Sequence, residues 1–344
     1  MAQKNLTFAT CNLYNLQLPG RPMYRGRRYT RAEYDAKIEW TARMLRHIDA
    51  DIIGFQELWS PAALVEAFEA AGLSADYALV TVDDDNPGQI SVALAVRRHH
   101  AVVYKRWYKK FPDEMVLKKR SDPDDHVPDY ELSVSIDRFS RAVLRATIRL
   151  ALPDGKQIPN LVVFVAHLKS KMAMVLDKPE RDTDAIRTHS QALGSALSTI
   201  RRTAEAAAIR VLLNKVMRKT STPVVVLGDL NDAQLSVTTS IITGEPKYRL
   251  FASSKAGNRS DKGLYSAATL QEYRSLRDVY YTYIHDGQRE SLDHILVSEQ
   301  FYDYSRNRIW TFREMRLFND FLDDVSAASS DHALITAKFD YRPA

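Results

Sequence analysis

Six times in this chain a run of apolar, β-forming residues of strand length stops beside a residue that can bind a metal, move a proton or hold a phosphate. Asn12 follows LTFATC, Glu57 ends IIGFQE, His167 follows LVVFVA, and Asp229 and Asn231 follow VVVLG. Asp293 with His294 opens DHILVS, and Asp331 with His332 lies between Ser329-Ser330 and ALITAKF. An aspartate after a single strand is ordinarily a turn residue or a helix cap. Six such strand ends, all limited to carboxylate, amide and imidazole, point instead to a site displayed at the edge of a rigid scaffold.

The predicted strands are LTFATCNL, ADIIGFQEL, ISVALAVR, VLRATIRL, NLVVFVAHL, PVVVLGDL, LDHILVS and ALITAKF, each rich in Val, Ile or Phe. Between them, Tyr34–His47 has helical spacing at Ile38, Ala42, Leu45 and Ile48, and Pro61 opens a second helix through Ala71. Residues 183–219 predict one or two long helices, with Gly194 as a break, crossing over between the strands at 161–167 and 223–230. A turn at Pro153-Asp154-Gly155 predicts a hairpin and so a mixed sheet. No short repeat and no glycine- or proline-rich linker divides the chain. The expectation is one large α/β domain, residues 1–344, of two face-to-face sheets with insertions near 15–35, 104–135, 170–190 and 235–285.

Composition narrows the classes. The single cysteine, Cys11, excludes an internal disulfide and a cysteine zinc site, and it reads as a small buried hydrophobe. MAQKNLTFATCNL carries no apolar export stretch, and no 18-residue apolar run occurs, so a cytoplasmic protein without membrane association is expected. The net charge is +5, and Arg97, Arg98, Lys105, Arg106, Lys109, Lys110, Lys118, Lys119 and Arg120 crowd one segment interleaved with Trp107, Tyr108 and Phe111. Such a segment suits a phosphate backbone with unstacked bases, or else a solvated loop.

Magnesium prefers oxygen ligands and uses one or two carboxylates while keeping waters for itself and for phosphate. Glu57 and Asp331 can supply those carboxylates, with Asn12 and Asp229 near. A histidine oriented by a carboxylate suits the activation of water, because its pKa lies near neutrality and the carboxylate fixes its tautomer. His332 with Asp293 is that pair. No HExxH helix, Walker loop or GxSxG elbow competes with it.

The motifs TFATCNLYNL, DIIGFQEL, VFVAHLKS, VVVLGDLND, SLDHILVS and SSDHALITAKF, in this order over residues 6–340, resemble the endonuclease/exonuclease/phosphatase superfamily. That superfamily includes pancreatic-type deoxyribonucleases, abasic-site endonucleases, inositol polyphosphate 5-phosphatases and bacterial sphingomyelinases. The resemblance implies a four-layer α/β sandwich with two mixed β-sheets inside, helices outside, and a Mg2+ or Mn2+ ion at the strand ends. It implies that Asn12, Glu57 and Asp331 sit at the metal and that Asp229 lies beside the nucleophile or leaving group. Asn231 would bond the scissile phosphate, and His332 would be the general base, or a phosphate ligand, oriented by Asp293. His167 would contact phosphate or aid protonation of the leaving group, where abasic-site enzymes commonly carry tyrosine. Arg141 in FSRAVLR would face phosphate. Tyr14 stands where abasic-site enzymes typically carry an acidic residue.

Superfamily members cleave DNA, RNA, inositol phosphates or sphingomyelin, so the substrate is set by loops. The basic segment, a second basic series at Arg201, Arg202, Arg210, Lys215, Arg218 and Lys219, and the phrase YTYIHDGQRESLDHILVS favour a nuclease with nucleic acid, DNA foremost, as partner. A phosphatase or phosphodiesterase of a small metabolite or lipid headgroup is the alternative, and a nucleic-acid-binding module with a dead site is the alternative of another class. No protein partner is readable. Gly228 is expected to allow close backbone approach, Asp232 to cap a helix or turn, and His294 to pack at a strand start.

Overall fold

The structure is a computed structural model that describes residues 5–83, 89–119, 131–152, 157–249, 262–275, 280–323, 326 and 328–343. The first half of the chain forms strands β1 (Asn5–Leu16), β2 (Ile52–Leu58), β3 (Tyr77–Val80), β4 (Ser91–Arg97), β5 (Ala101–Lys110), β6 (Lys118–Lys119), β7 (Leu132–Ser133), β8 (Arg138–Arg149) and β9 (Leu161–His167). The second half adds β10 (Val224–Asp229), β11 (Tyr265–Ser266), β12 (Tyr283–His285), β13 (Gln288–Glu290), β14 (Asp293–Val297), β15 (Trp310–Phe318) and β16 (Leu334–Tyr341). The α-helices are α1 (Arg31–Ile48), α2 (Pro61–Ala71), α3 (Lys178–Arg181), α4 (Asp184–Arg187), α5 (Ser190–Met217), α6 (Val237–Thr243) and α7 (Ala267–Glu272).

Two six-stranded sheets form the centre, ordered β15-β16-β1-β2-β4-β3 and β11-β14-β10-β9-β8-β5. Each contains one parallel pair, β1 with β2 and β9 with β10, and the other pairings in both sheets are antiparallel. A parallel pair requires a long crossover. Helix α1 makes the first and α3 to α5 make the second. The inner faces meet through Phe8, Ile52 and Leu94 from one sheet and Leu144, Val163, Val225 and Leu227 from the other. The outer face of the first sheet is covered by α1 and α2 and that of the second by α5 and α6, through Trp40, Leu64 and Phe68 on one side and Ile209, Leu213 and Ile242 on the other. The four-layer mixed α/β sandwich expected from the sequence is therefore what forms. Each buried valine or leucine of VVVL contributes about 1.5–3 kcal/mol, which fixes β10 firmly at the middle of its sheet.

All eight strands predicted from apolar runs are present, with ends shifted by up to five residues. Two long strands escaped prediction. β5 reads as a basic segment because charged residues dominate it, yet it is the edge strand of the second sheet, paired to β8 from Ala101↔Arg149 to Lys110↔Arg138. β15, WTFREMRLF, exposes Arg313 and Arg316 while Trp310, Phe312 and Met315 are buried. Helix α5 continues through Gly194 rather than breaking there: a Cβ on Gly194 would lie 2.2 Å from the Met174 carbonyl oxygen, so the glycine answers to the crossing chain, not to a helix end. The turn expected at Pro153-Asp154-Gly155 lies outside the described residues, as do Arg120 and His126. Among the described residues no helix is long and apolar enough to cross a membrane.

Gly228 lies at φ 152°, and a Cβ there would stand 2.0 Å from the Ala166 carbonyl oxygen of the neighbouring strand. Every atom it would meet is Ala166 backbone, so no flexible side chain can move aside. Gly228→Ala is therefore expected to lower unfolding free energy by about 2–4 kcal/mol in urea denaturation.

Candidate active site

The two parallel pairs end on the same edge of the sandwich, and the strands antiparallel to them begin there. Asn12 and Glu57 come from β1 and β2, His167 and Asp229 from the last residues of β9 and β10, and Asp293 from the first residue of β14. Register makes the second sheet's contribution direct, since Asp229 is the cross-strand partner of both His167 and Asp293. His332 precedes β16 and forms an isolated bridge with Tyr283.

Hydrogen bonds join these side chains into one network. The Asn12 side-chain amide donates to Glu57 Oε1 and to Asp229 Oδ2, each at 3.2 Å, while its carbonyl oxygen accepts the Tyr14 N–H at 2.9 Å. Asp229 Oδ1 accepts the Asn231 N–H at 2.8 Å, and Asp229 Oδ2 lies 3.4 Å from His167 Nε2 and 3.8 Å from His332 Nε2. His332 Nδ1 bonds Asp293 Oδ2 at 2.8 Å. The segment before His332 is tied back by the Ser330 hydroxyl, which donates to the Asn12 carbonyl and accepts the His332 N–H. Residues left out of the sequence reading also serve this network. Thr282 Oγ1 accepts the N–H groups of Leu292 and Asp293, and the Tyr283 ring lies 4.8 Å from that of His332, both within the YTY phrase.

Burial sets the electrostatics. Desolvation pushes the Asp229 carboxyl up to about 7 and the Asp331 carboxyl up to about 6, with His332 pulling each the other way. His332 is held well above the usual imidazole range: burial opposes its charge, but Asp293, Asp229 and Asp331 outweigh that. His167 is pushed well below that range by burial first, then by Arg141 and His332. The two imidazoles thus take opposite roles, one cationic and one neutral.

Such an excess of buried carboxylate calls for a cation. Asp331 Oδ1 and Asp293 Oδ1 are buried without a hydrogen-bond partner. Glu57 and Asp331, close enough for Glu57 to raise the Asp331 carboxyl, supply hard oxygen donors that fit Mg2+ or Mn2+. Asn12, expected at the metal, instead turns its NH2 toward Glu57 and its oxygen to the Tyr14 N–H, and so holds the carboxylate rather than an ion. Asp229, Asp293 and His332 also bring ligand atoms within 4.8 Å of one another. His332 Nδ1 is occupied by Asp293 at 2.8 Å and the ring is biased toward its cation, which has no lone pair to give, so this second trio is a poorer cation site than Glu57 with Asp331. A third grouping, Asp51, His99 and His100, lies at the opposite edge. There the Ala151 N–H donates to His100 Nδ1, which leaves the proton on Nε2 and spoils that nitrogen as a ligand.

The remaining expectations divide. Asn231 Nδ2 and Arg141 Nη1 both donate to the Leu168 carbonyl, at 3.1 and 2.7 Å, so both brace the turn after His167 as well as standing beside it. Glu205, buried on α5, accepts the Ser140 and Lys169 N–H groups and braces the same turn; nothing in the sequence singled it out. Asp232 accepts Arg202 Nε and the Ala233 N–H, a turn and ion-pair role rather than a ligand's, and His294 Nε2 bonds the Asp232 carbonyl. In the basic segment, Phe111 is buried and Trp107 and Tyr108 pack on the core, so these three rings are not a stacking platform for bases. Much of the second basic series is structural: Arg202 pairs with Asp232, Lys215 with Glu114, and Arg210 holds the Ile242 and Thr243 carbonyls.

Sequence comparison agrees with the geometry. The family model described as "Endonuclease/Exonuclease/phosphatase family" matches residues 9–332, and the chain belongs to that family, whose members are metal-dependent phosphoesterases. No curated protein matches significantly. Similar solved structures include an endonuclease/exonuclease/phosphatase from Bacteroides vulgatus, 14% identical, TM-score 0.55, covering 99% of this chain and 100% of the other. A mannosyl-6-phosphatase from Bacteroides thetaiotaomicron is 16% identical with TM-score 0.54, covering 98% and 100%. D. rerio TDP2 complexed with single strand DNA product is 14% identical with TM-score 0.54, covering 98% and 100%. At these identities the likeness is one of fold.

Glu57→Gln is expected to weaken Mn2+ binding by about tenfold or more in isothermal titration, and Asp293→Asn to leave it within about threefold. The reverse order would assign the ion to the Asp229, Asp293 and His332 trio.

Proposed function

We propose that this protein is a Mg2+- or Mn2+-dependent phosphodiesterase, a nuclease acting foremost on DNA. The observation that carries the hydrolytic reading is the 2.8 Å bond between His332 Nδ1 and Asp293, with His332 Nε2 3.8 Å from the buried Asp229 carboxylate. With its Nδ1 proton held by Asp293, a neutral His332 presents a lone pair at Nε2 and accepts a proton from the attacking water. A divalent cation held by Glu57 and Asp331, with Asn12 fixing Glu57, would neutralise charge on the phosphate and bring His332 toward its neutral form. Asp229, fixed by Asn12 and by the Asn231 N–H, orients the water. His167 stands opposite, 3.4 Å from Asp229, and Asn231 beside it bonds a phosphoryl oxygen in the transition state. Arg141, close enough to depress the His167 pKa, adds positive charge on the same side.

A polyanionic substrate is supported by the distribution of charge. β5 exposes Lys105, Arg106, Lys109 and Lys110, and its last residue, Lys110, pairs with Arg138 at the end of β8 that also carries Arg141. Basic side chains therefore run along the sheet edge toward the catalytic end, the arrangement that follows a phosphate backbone. Phosphate contact, rather than base stacking, is the recognition this surface can supply.

The test is a panel of single-stranded, double-stranded, nicked and abasic DNA, RNA, inositol phosphates and sphingomyelin, each with Mg2+, Mn2+ or chelator. DNA cleavage that chelator abolishes, and that His332→Ala slows by about 100-fold, is expected. Turnover of a small phosphoester alone would make the protein a phosphatase of that compound. DNA binding without turnover under every metal would make it a binding module.

A further inference from the structure

The side chain of Lys37 is sealed inside the protein, at 0% exposure, behind the carboxylates of the candidate metal site. It lies on the covered stripe of α1 with Tyr34, Thr41, Leu45 and Ile48, where hydropathy calls for an apolar residue. Its ammonium donates to the Ser329 carbonyl at 2.8 Å, across 292 residues of sequence, and lies 5.4 and 5.6 Å from the ring centres of Tyr14 and Trp40. Burial pushes its pKa down to about 8, with the Asp331 and Glu57 carboxylates supporting its charge and Arg27 opposing it. The Ser329 it holds is folded onto Ser326: its N–H donates to the Ser326 carbonyl and Oγ, its hydroxyl donates to the same carbonyl, and its Oγ accepts the Ser326 N–H. Ser329 is followed directly by Ser330, Asp331 and His332.

An unpaired buried charge is expensive, and a methionine of similar length would pack the same space without that cost. A lysine at this position makes sense if its charge is used. Ser330 and His332 each have other anchors, in the Asn12 carbonyl and in Asp293. Asp331 Oδ1 is buried without a hydrogen-bond partner and its carboxylate bonds its own backbone N–H, so its placement follows the backbone of its segment.

We infer that Lys37 is a positioning residue: its buried ammonium, bonded to Ser329, fixes the segment 329–332 and so sets Asp331 opposite Glu57 for a divalent cation. The inference rests on the hydrolytic reading above for its consequence, but its structural half does not.

Lys37→Met tests both halves, with Lys37→Gln measured identically should the first fail to fold. In metal-free protein, hydrogen exchange at the amides of 329–333 is expected to quicken at least about tenfold while melting of the whole chain stays cooperative. The Mn2+ dissociation constant is expected to rise at least about fivefold, and with bis-p-nitrophenyl phosphate kcat to fall at least about tenfold with KM within about threefold. Unchanged exchange at 329–333 overturns the inference, as does unchanged or tighter Mn2+ binding. Wild-type protein that hydrolyses no diester with any metal overturns the hydrolytic reading instead, and the exchange result then decides on Lys37 alone.

Discussion

The Asn12 amide bridges the two sheets. It donates at once to Glu57 on its own sheet and to Asp229 on the other, 217 residues away. The rest of the site is arranged around that bridge: Asp229 is flanked in register by His167 and Asp293, Asp293 holds His332, and Ser330 returns the chain to the Asn12 carbonyl. A closed ring of contacts drawn from β1, β2, β9, β10, β14 and the segment before β16 can exist only if both sheets keep their separation and stagger. The apolar inner faces supply that rigidity, and Gly228 lets β10 pass within contact of the Ala166 carbonyl.

Gathering these groups is costly. Asp229 and Asp331 are driven toward their neutral forms by burial, and several backbone angles around them are left-handed: Tyr14, Asn15, Glu57 and Asn231 all have positive φ. Strain of about 1–3 kcal/mol at each such residue persists only where surrounding packing imposes it. Here the packing is the four-layer sandwich itself. The cost is consistent with a site that becomes balanced when a cation and a phosphate enter it, and with a family of metal-dependent phosphoesterases.

Much of the candidate site was legible because strand-length apolar runs and the polar residues ending them are adjacent in sequence. Asn12, Glu57, His167, Asp229, Asp293 and His332 could each be named from that adjacency alone. Lys37, Thr282 and Glu205 could not, since each acts through a partner on another element: Ser329, Leu292 and Asp293, Ser140 and Lys169. The strands β5 and β15 were hidden for a different reason. Edge and half-exposed strands carry charge on one face, which obscures the apolar period that marks a buried strand.

What the sequence determined by itself is the inventory: apolar β runs, the donors at their ends, segments of helical period with one crossover among them, and a basic segment in the first half. These are local properties, governed by side-chain chemistry and by spacing of two or three and a half residues. Tertiary structure alone decided which donors share an oxygen, which imidazole is held cationic and which neutral, and that most aromatic rings of the basic segment face the core. Those outcomes depend on distance and dielectric between residues hundreds of positions apart, and sequence spacing carries neither.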